Sequence, residues 1–146
     1  MTKPRYYAPK GGLPAQTQLM TGRAVFTDAY AVIPRGTNSD IVVSYFPFWE
    51  KTRAWILARP LSGFAETFAQ VIMEVAPGGG SERPEPDPSA EAALFVVEGV
   101  LSLDIAGKVH RLEPGGFAYV PPGVVWRVSN AAQANVVFHW FRKSYE

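Results

Sequence analysis

Residues 115–130 read GGFAYVPPGVVWRVSN, and this stretch decides the fold. Gly115, Pro121 and Gly123 are turn residues, and short runs of apolar and aromatic residues typical of strands lie between them. The one unusual residue in the stretch is Trp126. An indole N–H can only donate a hydrogen bond, so this side chain cannot coordinate a metal.

The neighbouring sequence repeats the pattern of short strands and turns. Residues 94–97 form a wholly apolar run, as a buried strand requires, and residues 101–105 alternate strictly between apolar and polar side chains. Residues 106–108 form a hairpin turn into the next run. Thirteen Gly and thirteen Pro in 146 residues are too many for a helix bundle. The sequence therefore predicts an all-β fold.

The first half of the chain has weaker patterns of strands and turns. Residues 1–22 contain several Pro and Gly residues and predict an extended N-terminal arm, which leaves residues 23–146 for a barrel domain. Residues 64–75 are interpreted mainly as a strand. Residues 78–89 are rich in Gly, Pro and acidic side chains, and they predict a long flexible loop.

Composition excludes several classes of function. The formal net charge is +1 with scattered Lys and Arg, so no footprint for nucleic acid is expected. The absence of Cys excludes disulfides, thiolate nucleophiles and Cys-ligated zinc. The start of the chain has no continuous apolar stretch and no run is long enough to span a bilayer. We expect a cytoplasmic protein without membrane partners.

The 115–130 spacing resembles the second sequence motif of the cupin barrels, in which metal-binding members carry His where Trp126 stands. The resemblance implies a single cupin barrel, a fold that is also called a double-stranded β-helix or jelly roll. The first motif of metal-binding cupins, Gly-x5-His-x-His-x3,4-Glu-x6-Gly, would fall on residues 78–99, which contain no His. Glu91 is one residue out of place for the motif Glu, and Ala92 holds the aligned position. The expected barrel is degenerate and metal-free.

Four residues are candidates for lining a ligand pocket: Glu91, Tyr119, Trp126 and His139. His139 has an alternative interpretation, as a hydrogen-bonded residue of the barrel wall. No catalytic residue is assigned, because the chain has no Gly-x-Ser-x-Gly elbow and only two histidines.

Two clusters of side chains have competing interpretations. Glu82, Glu85, Asp87 and Glu91 could be paired carboxylates, but interleaved prolines favour an extended segment, so these charges are expected to face solvent. The aromatic residues around 45–55 are expected to pack in the core. The alternative is that residues 46–49 form an exposed patch for a protein partner.

Four longer segments resemble the N-terminal half of the (S)-ureidoglycine aminohydrolases: residues 57–66 (LARPLSGFAE), 74–80 (EVAPGGG), 94–99 (LFVVEG) and 115–123 (GGFAYVPPG). The resemblance implies a family of two-barrel proteins that hydrolyse ureidoglycine to ureidoglycolate and ammonia in allantoin and purine breakdown. It also implies a manganese site in the C-terminal barrel, which this sequence does not contain.

The functional expectation follows from that resemblance. The chain is expected to be a non-catalytic N-terminal barrel, with no cofactor of its own and with manganese in the missing barrel. The alternative is a metal-free cupin module that binds a small polar metabolite such as a ureide. The expected protein partners are further copies of the chain or a second cupin barrel.

Overall fold

The computed structural model describes residues 44–58 and 68–144, together with the backbone of residues 25–26 and 31–32. The chain divides into two units, Met1–Val42 and Val43–Glu146. In the first unit, β1 (Val25–Phe26) pairs with β2 (Ala31–Val32) in antiparallel fashion. The predicted arm over residues 1–22 lies outside the described residues.

Every element of the second unit that the structure describes is a strand, which confirms the predicted all-β class. The strands are β3 (Glu50–Ala58), β4 (Ala69–Ser81), β5 (Ala90–Glu98), β6 (Leu101–Ile105), β7 (Lys108–Leu112), β8 (Phe117–Val120), β9 (Trp126–Ser129) and β10 (Val136–Ser144).

All of the pairings are antiparallel, and they form a nearly closed barrel. The order of strands is β7-β6-β9-β4-β10-β5-β8, with β3 paired to β4. The long strand β4 belongs to both walls of the barrel. Its first half pairs with β3 and β10, while Gly80 and Ser81 at its end pair with β9.

Gly80 is the residue that lets β4 reach the second wall. Its φ is +141°, and a Cβ atom there would lie 2.0 Å from the carbonyl oxygen of Val128 on β9. Only glycine permits so close an approach of two backbones. The strand therefore extends to Ser81, and the predicted flexible loop is wrong for residues 78–81.

The hairpin between β6 and β7 follows directly from its sequence. Ala106 and Gly107 both have positive φ, +51° and +86°. Two such residues form the tight turn that matches the twist of paired strands. The Asp104 side chain accepts a hydrogen bond from the Gly107 N–H at 2.8 Å, which fixes the turn.

The core is formed by alternate residues of the strands, which point into the barrel. Along β10, for example, Val136, Phe138 and Trp140 are buried, and the residues between them are only partly so. Other fully buried side chains include Met73, Val75, Leu94, Val96, Leu101, Leu103 and Val120.

Asn130, the last residue of the 115–130 motif, is fully buried. Its Nδ2 donates to the carbonyl oxygens of Val75 and Ala134 at 2.9 and 2.8 Å, and its Oδ1 accepts from the Ala132 N–H at 3.0 Å. A buried amide with these partners holds the loop after β9 against β4, because a buried polar group is tolerated only when it is hydrogen-bonded.

Candidate functional site

The interior of the barrel at the start of β9 is filled by aromatic rings. Trp126 is 6% exposed and meets Trp140 edge-on, with ring centroids 5.9 Å apart. Trp49 lies 5.7 Å from Trp140 and 6.3 Å from Phe138, and Phe46 lies 6.2 Å from Trp140. These distances lie in the range of favourable aromatic pairs. The cluster is a packed core.

The same cluster settles the competing interpretations of residues 46–49. Phe46 and Trp49 are partly buried and pack against the core, as the core interpretation expects. Phe48 is the exception, since it is 56% exposed and lies beneath the guanidinium of Arg83.

The residues around Trp126 do not fit a metal ion. Ala92, which aligns with the motif Glu of metal-binding cupins, is buried and supplies no donor atom. Across residues 44–58 and 68–144, no three His, Cys, Asp or Glu side chains are grouped closely enough to hold a metal. A divalent first-row metal usually needs three or four converging N, O or S donors. Imidazole at position 126 alone would not complete such a set.

A partly buried ion pair lies beside the aromatic cluster. The Glu85 side chain is only 4% exposed and receives hydrogen bonds from Nε and Nη2 of Arg142, the latter at 3.0 Å. The bond to Glu85 raises the pKa of Arg142 above its ordinary value. The expectation that the acidic segment faces solvent is therefore wrong for Glu85, because Arg142 compensates the loss of hydration.

Asp87 extends this polar cluster. Its carboxylate accepts hydrogen bonds from the hydroxyl groups of Ser89 and Ser144 at 2.7 and 2.8 Å, and it lies 3.7 Å from Arg142. The hydrogen bond from the Ser89 side chain, followed by that from Ser144, lowers the pKa of Asp87 to about 2. The carboxylate is therefore ionised at neutral pH.

Sequence reasoning missed Arg142, although the sequence contains a signal for it. Residues 136, 138 and 140 of β10 point inward, so residue 142 shares their parity. A guanidinium on the inner side of a barrel requires a partner. The alternation predicts a buried acceptor near Arg142, but it does not say that Glu85 provides it.

A cleft of about 350 Å³ opens between the acidic loop and the turn before β9. Charged side chains from Glu82, Arg83 and Asp87 line one side, and Val124 and Trp126 line the other. Trp126, which packs in the barrel interior, therefore also forms part of the wall of this cleft.

The four candidate pocket residues do not converge. Trp126 lies inside the barrel, whereas Glu91, Tyr119 and His139 belong to strands β5, β8 and β10 and point outward. The Tyr119 hydroxyl donates to Glu91 at 2.6 Å, at the edge of a groove that also includes Phe141. The structure therefore brings Glu91 and Tyr119 together, and it separates both from Trp126.

His139 occupies the outer side of the barrel wall. Its Nδ1 lies 3.1 Å from the Gln70 side-chain nitrogen, and its ring stacks on Phe141 at 6.3 Å. Because the amide nitrogen of Gln70 is a donor, Nδ1 accepts and the proton of the neutral ring is on Nε2. Partial burial lowers the pKa of His139, which favours this neutral form.

Comparison with known proteins agrees with this geometry. Residues 71–142 match the family model described as Cupin_2, cupin domain. They include most of β4 to β10 and, from the aromatic cluster, Trp126, Phe138 and Trp140. This part of the chain is a cupin domain.

Two kinds of relative define the resemblance more closely. The chain is 26% identical over 109 residues to the (S)-ureidoglycine aminohydrolase of Escherichia coli (strain K12), a match that covers 75% of this chain and 41% of the enzyme. It is 57% identical to a Pseudomonas aeruginosa protein described as glyoxylate induced, with a TM-score of 0.77, covering 99% of this chain and 52% of that structure. The Escherichia coli protein Ylba has the same fold at 24% identity and a TM-score of 0.75, with 91% of this chain and 53% of that chain covered.

The chain thus spans about half the length of these relatives. The residues that the structure describes include no helix long and apolar enough to cross a membrane.

Proposed function

We propose that this chain is a non-catalytic cupin barrel of an (S)-ureidoglycine aminohydrolase-like protein. The observation that carries the proposal is the aromatic interior, where Trp126 occupies the position at which metal-binding cupins carry His and packs against Trp140. The matched relatives are about twice the length of this chain, which supports the second element of the proposal, a further barrel. We infer that such a barrel would carry the catalysis and hold manganese.

In this proposal the barrel acts as a scaffold in the cytoplasm. It presents its outer surface to a second barrel or to another copy of the chain, and its own interior contributes packing energy. A filled barrel suits such a role, because closely packed aromatic rings stabilise the fold.

The test is an ammonia-release assay on ureidoglycine with added manganese. The chain alone is expected to release ammonia no faster than buffer does, whereas the Escherichia coli enzyme assayed in parallel shows that substrate and metal are competent. Ammonia release by the isolated chain, together with one retained manganese per chain after dialysis, would overturn the proposal.

The cleft beside Trp126 favours a second candidate function, binding of a small polar metabolite. Arg83, Glu82 and Asp87 offer both donors and acceptors there, as a ureide carrying amide and carboxylate groups would require. We infer that ureidoglycolate or allantoin would raise the melting temperature in a concentration-dependent manner.

The control for this second function is a matched pair of variants. Arg83→Gln removes a cation from the cleft, and Arg111→Gln removes an exposed cation from β7. A thermal shift that Arg83→Gln abolishes and Arg111→Gln preserves supports the cleft. The absence of any shift with ureides in the wild-type chain argues against it.

A further inference from the structure

A cavity of about 300 Å³ lies at the end of the barrel where β4 begins and β10 ends. We refer to it as the end cavity. Glu85 and Pro86 of the acidic loop line the end cavity and also line the cleft beside Trp126, so this loop borders two separate spaces. The barrel contributes Phe46, Ile56, Ala69, Val71, Trp140 and Arg142 to the walls of the end cavity.

The register of three strands explains these walls. Val71 of β4 pairs with Ile56 of β3 and with Trp140 of β10, so the three side chains form one row on the inner side of the sheet. Ala69 pairs with Arg142 in the next inward row, closer to the end of the barrel. Because Ala69 has only a methyl group, the space beside the long Arg142 side chain stays open.

Two N–H donors of this wall have hydrogen-bonding capacity that the protein does not use. Arg142 donates to Glu85 through Nε and Nη2, and its Nη1 has no hydrogen-bond partner among residues 44–58 and 68–144. Trp140 is 4% exposed, and its indole N–H also lacks an acceptor in this part of the chain. Buried N–H groups without a partner are rare in folded proteins, so the wall favours a molecule that brings a hydrogen-bond acceptor.

The charges at the end cavity already compensate one another. Glu85 and Arg142 are the charged side chains among its described lining residues, and they form an ion pair. A charged ligand would lose hydration there without gaining a counterion of its own. The remaining wall is largely apolar, so the cavity favours a neutral molecule with an apolar body.

Volume and ring chemistry narrow the choice further. An apolar cavity of about 150 Å³ is large enough for benzene, and the end cavity is about 300 Å³. It therefore has room for one aromatic ring with a short substituent. Phe46 and Trp140 provide aromatic surfaces on which such a ring can stack or pack edge-on.

We propose that the end cavity binds a neutral aromatic carbonyl compound. The ring packs against Phe46 and Trp140, and the carbonyl oxygen accepts a hydrogen bond from Nη1 of Arg142. A few precisely placed polar groups in an apolar pocket are the usual arrangement of small-molecule sites. This site is independent of the scaffold role proposed above, since it requires neither a metal nor a second barrel.

The experiment is a titration of the whole ¹⁵N-labelled chain with acetophenone, a neutral aromatic ketone, followed by two-dimensional NMR. The four tryptophans give four indole N–H resonances, and Trp140→Phe identifies the one that belongs to Trp140. This resonance is expected to shift in a saturable manner. The dissociation constant should be on the order of 0.1–1 mM, as for other ligands of about nine non-hydrogen atoms.

Two charged probes of similar shape test the preference for a neutral ligand. Benzoate carries a negative charge and benzamidinium a positive one. Each is expected to bind at least about tenfold more weakly than acetophenone, because neither gains a counterion in the cavity.

A pair of alanine variants tests the location. Ala69→Leu fills the end cavity and is expected to raise the dissociation constant about tenfold or more. Ala93→Leu is the matched control, since Ala93 pairs with Phe141 and Tyr119 on the outer side of the barrel. Its dissociation constant should equal that of the wild-type chain.

A pair of arginine variants tests the hydrogen bond. Arg142→Lys keeps a cation beside Glu85 but removes the free Nη1 group, and it is expected to weaken binding about threefold or more. Arg53→Lys makes the same change in the ion pair with Glu74 and should leave binding unchanged.

The outcomes that overturn the proposal are distinct from those that support it. A titration without a saturable shift at ten times the highest expected dissociation constant overturns it, and so does benzoate or benzamidinium binding as tightly as acetophenone. Binding that Ala69→Leu leaves unchanged places the ligand elsewhere and also overturns it. Equal binding by Arg142→Lys and the wild-type chain contradicts the assigned hydrogen bond.

Discussion

Replacing Trp126 by alanine tests whether this residue is a structural part of the core. Trp126 is 6% exposed, and its ring packs edge-on against Trp140 at 5.9 Å. Truncating a buried tryptophan to alanine costs about 3–5 kcal/mol, since the transfer free energy is lost and a cavity remains. Small domains have only about 5–15 kcal/mol of stability in total, so the variant should unfold at a much lower urea concentration.

The assay is equilibrium urea unfolding followed by circular dichroism, which does not depend on the fluorescence of the replaced ring. Val125→Ala is the control, because Val125 precedes Trp126 and is 69% exposed. Its free energy of unfolding should change by less than about 0.5 kcal/mol.

Trp126→His extends the test to metal binding, because it introduces the ligand that metal-binding cupins carry at this position. The variant should lose on the order of 2–4 kcal/mol of stability, since imidazole fills only part of the indole volume. Manganese should not restore that loss. A ligand at about 100 times its dissociation constant would add ~2.7 kcal/mol. Stabilisation of that size by manganese, or a loss below about 1 kcal/mol in Trp126→Ala, would refute the packing argument.

Three further predictions concern the polar groups. Asn130→Ala should lower the free energy of unfolding by about 2–4 kcal/mol in urea melts, because buried backbone groups lose their partners; a change below about 1 kcal/mol would contradict this. Glu85→Gln should lower the free energy of unfolding by about 1–3 kcal/mol. This range is lower than for a fully buried ion pair, because the Arg142 side chain is 37% exposed. The exposed control Glu82→Gln should lower the free energy of unfolding much less in the same melts. Since burial lowers the pKa of His139 below 6.5, the unfolded chain binds the proton first, so stability should fall as the pH drops below about 6.5. His139→Gln should remove that part of the pH dependence. If the melting temperature falls equally in the wild-type chain and in His139→Gln between pH 7.5 and pH 5, His139 is not the group responsible.

Much of the barrel could be predicted from sequence because its strands follow simple rules. The alternation in residues 101–105 correctly indicated that Leu101 and Leu103 are buried, and the turn at residues 106–108 closes the predicted hairpin. Local signals of this kind depend only on neighbouring residues, so a single sequence contains them.

The candidate site was less accessible to sequence reasoning, because it depends on contacts between distant segments. Glu85 lies in a proline-rich loop that resembles a solvated segment, and its burial requires Arg142, 57 residues away. The outward direction of Glu91 and the inward direction of Ala92 follow from the register of β5, which a shift of one residue would reverse. The sequence also indicated that aromatic residues around 45–55 pack in the core, but it did not show which rings meet Trp126 and Trp140.

The most direct test of the central claim is a manganese titration of the purified chain, followed by electron paramagnetic resonance of the free aqueous ion. If the barrel interior is a packed aromatic core without converging donors, the free-ion signal should rise with added manganese as it does in buffer alone. A signal that stays suppressed until one equivalent of manganese per chain has been added would contradict the account.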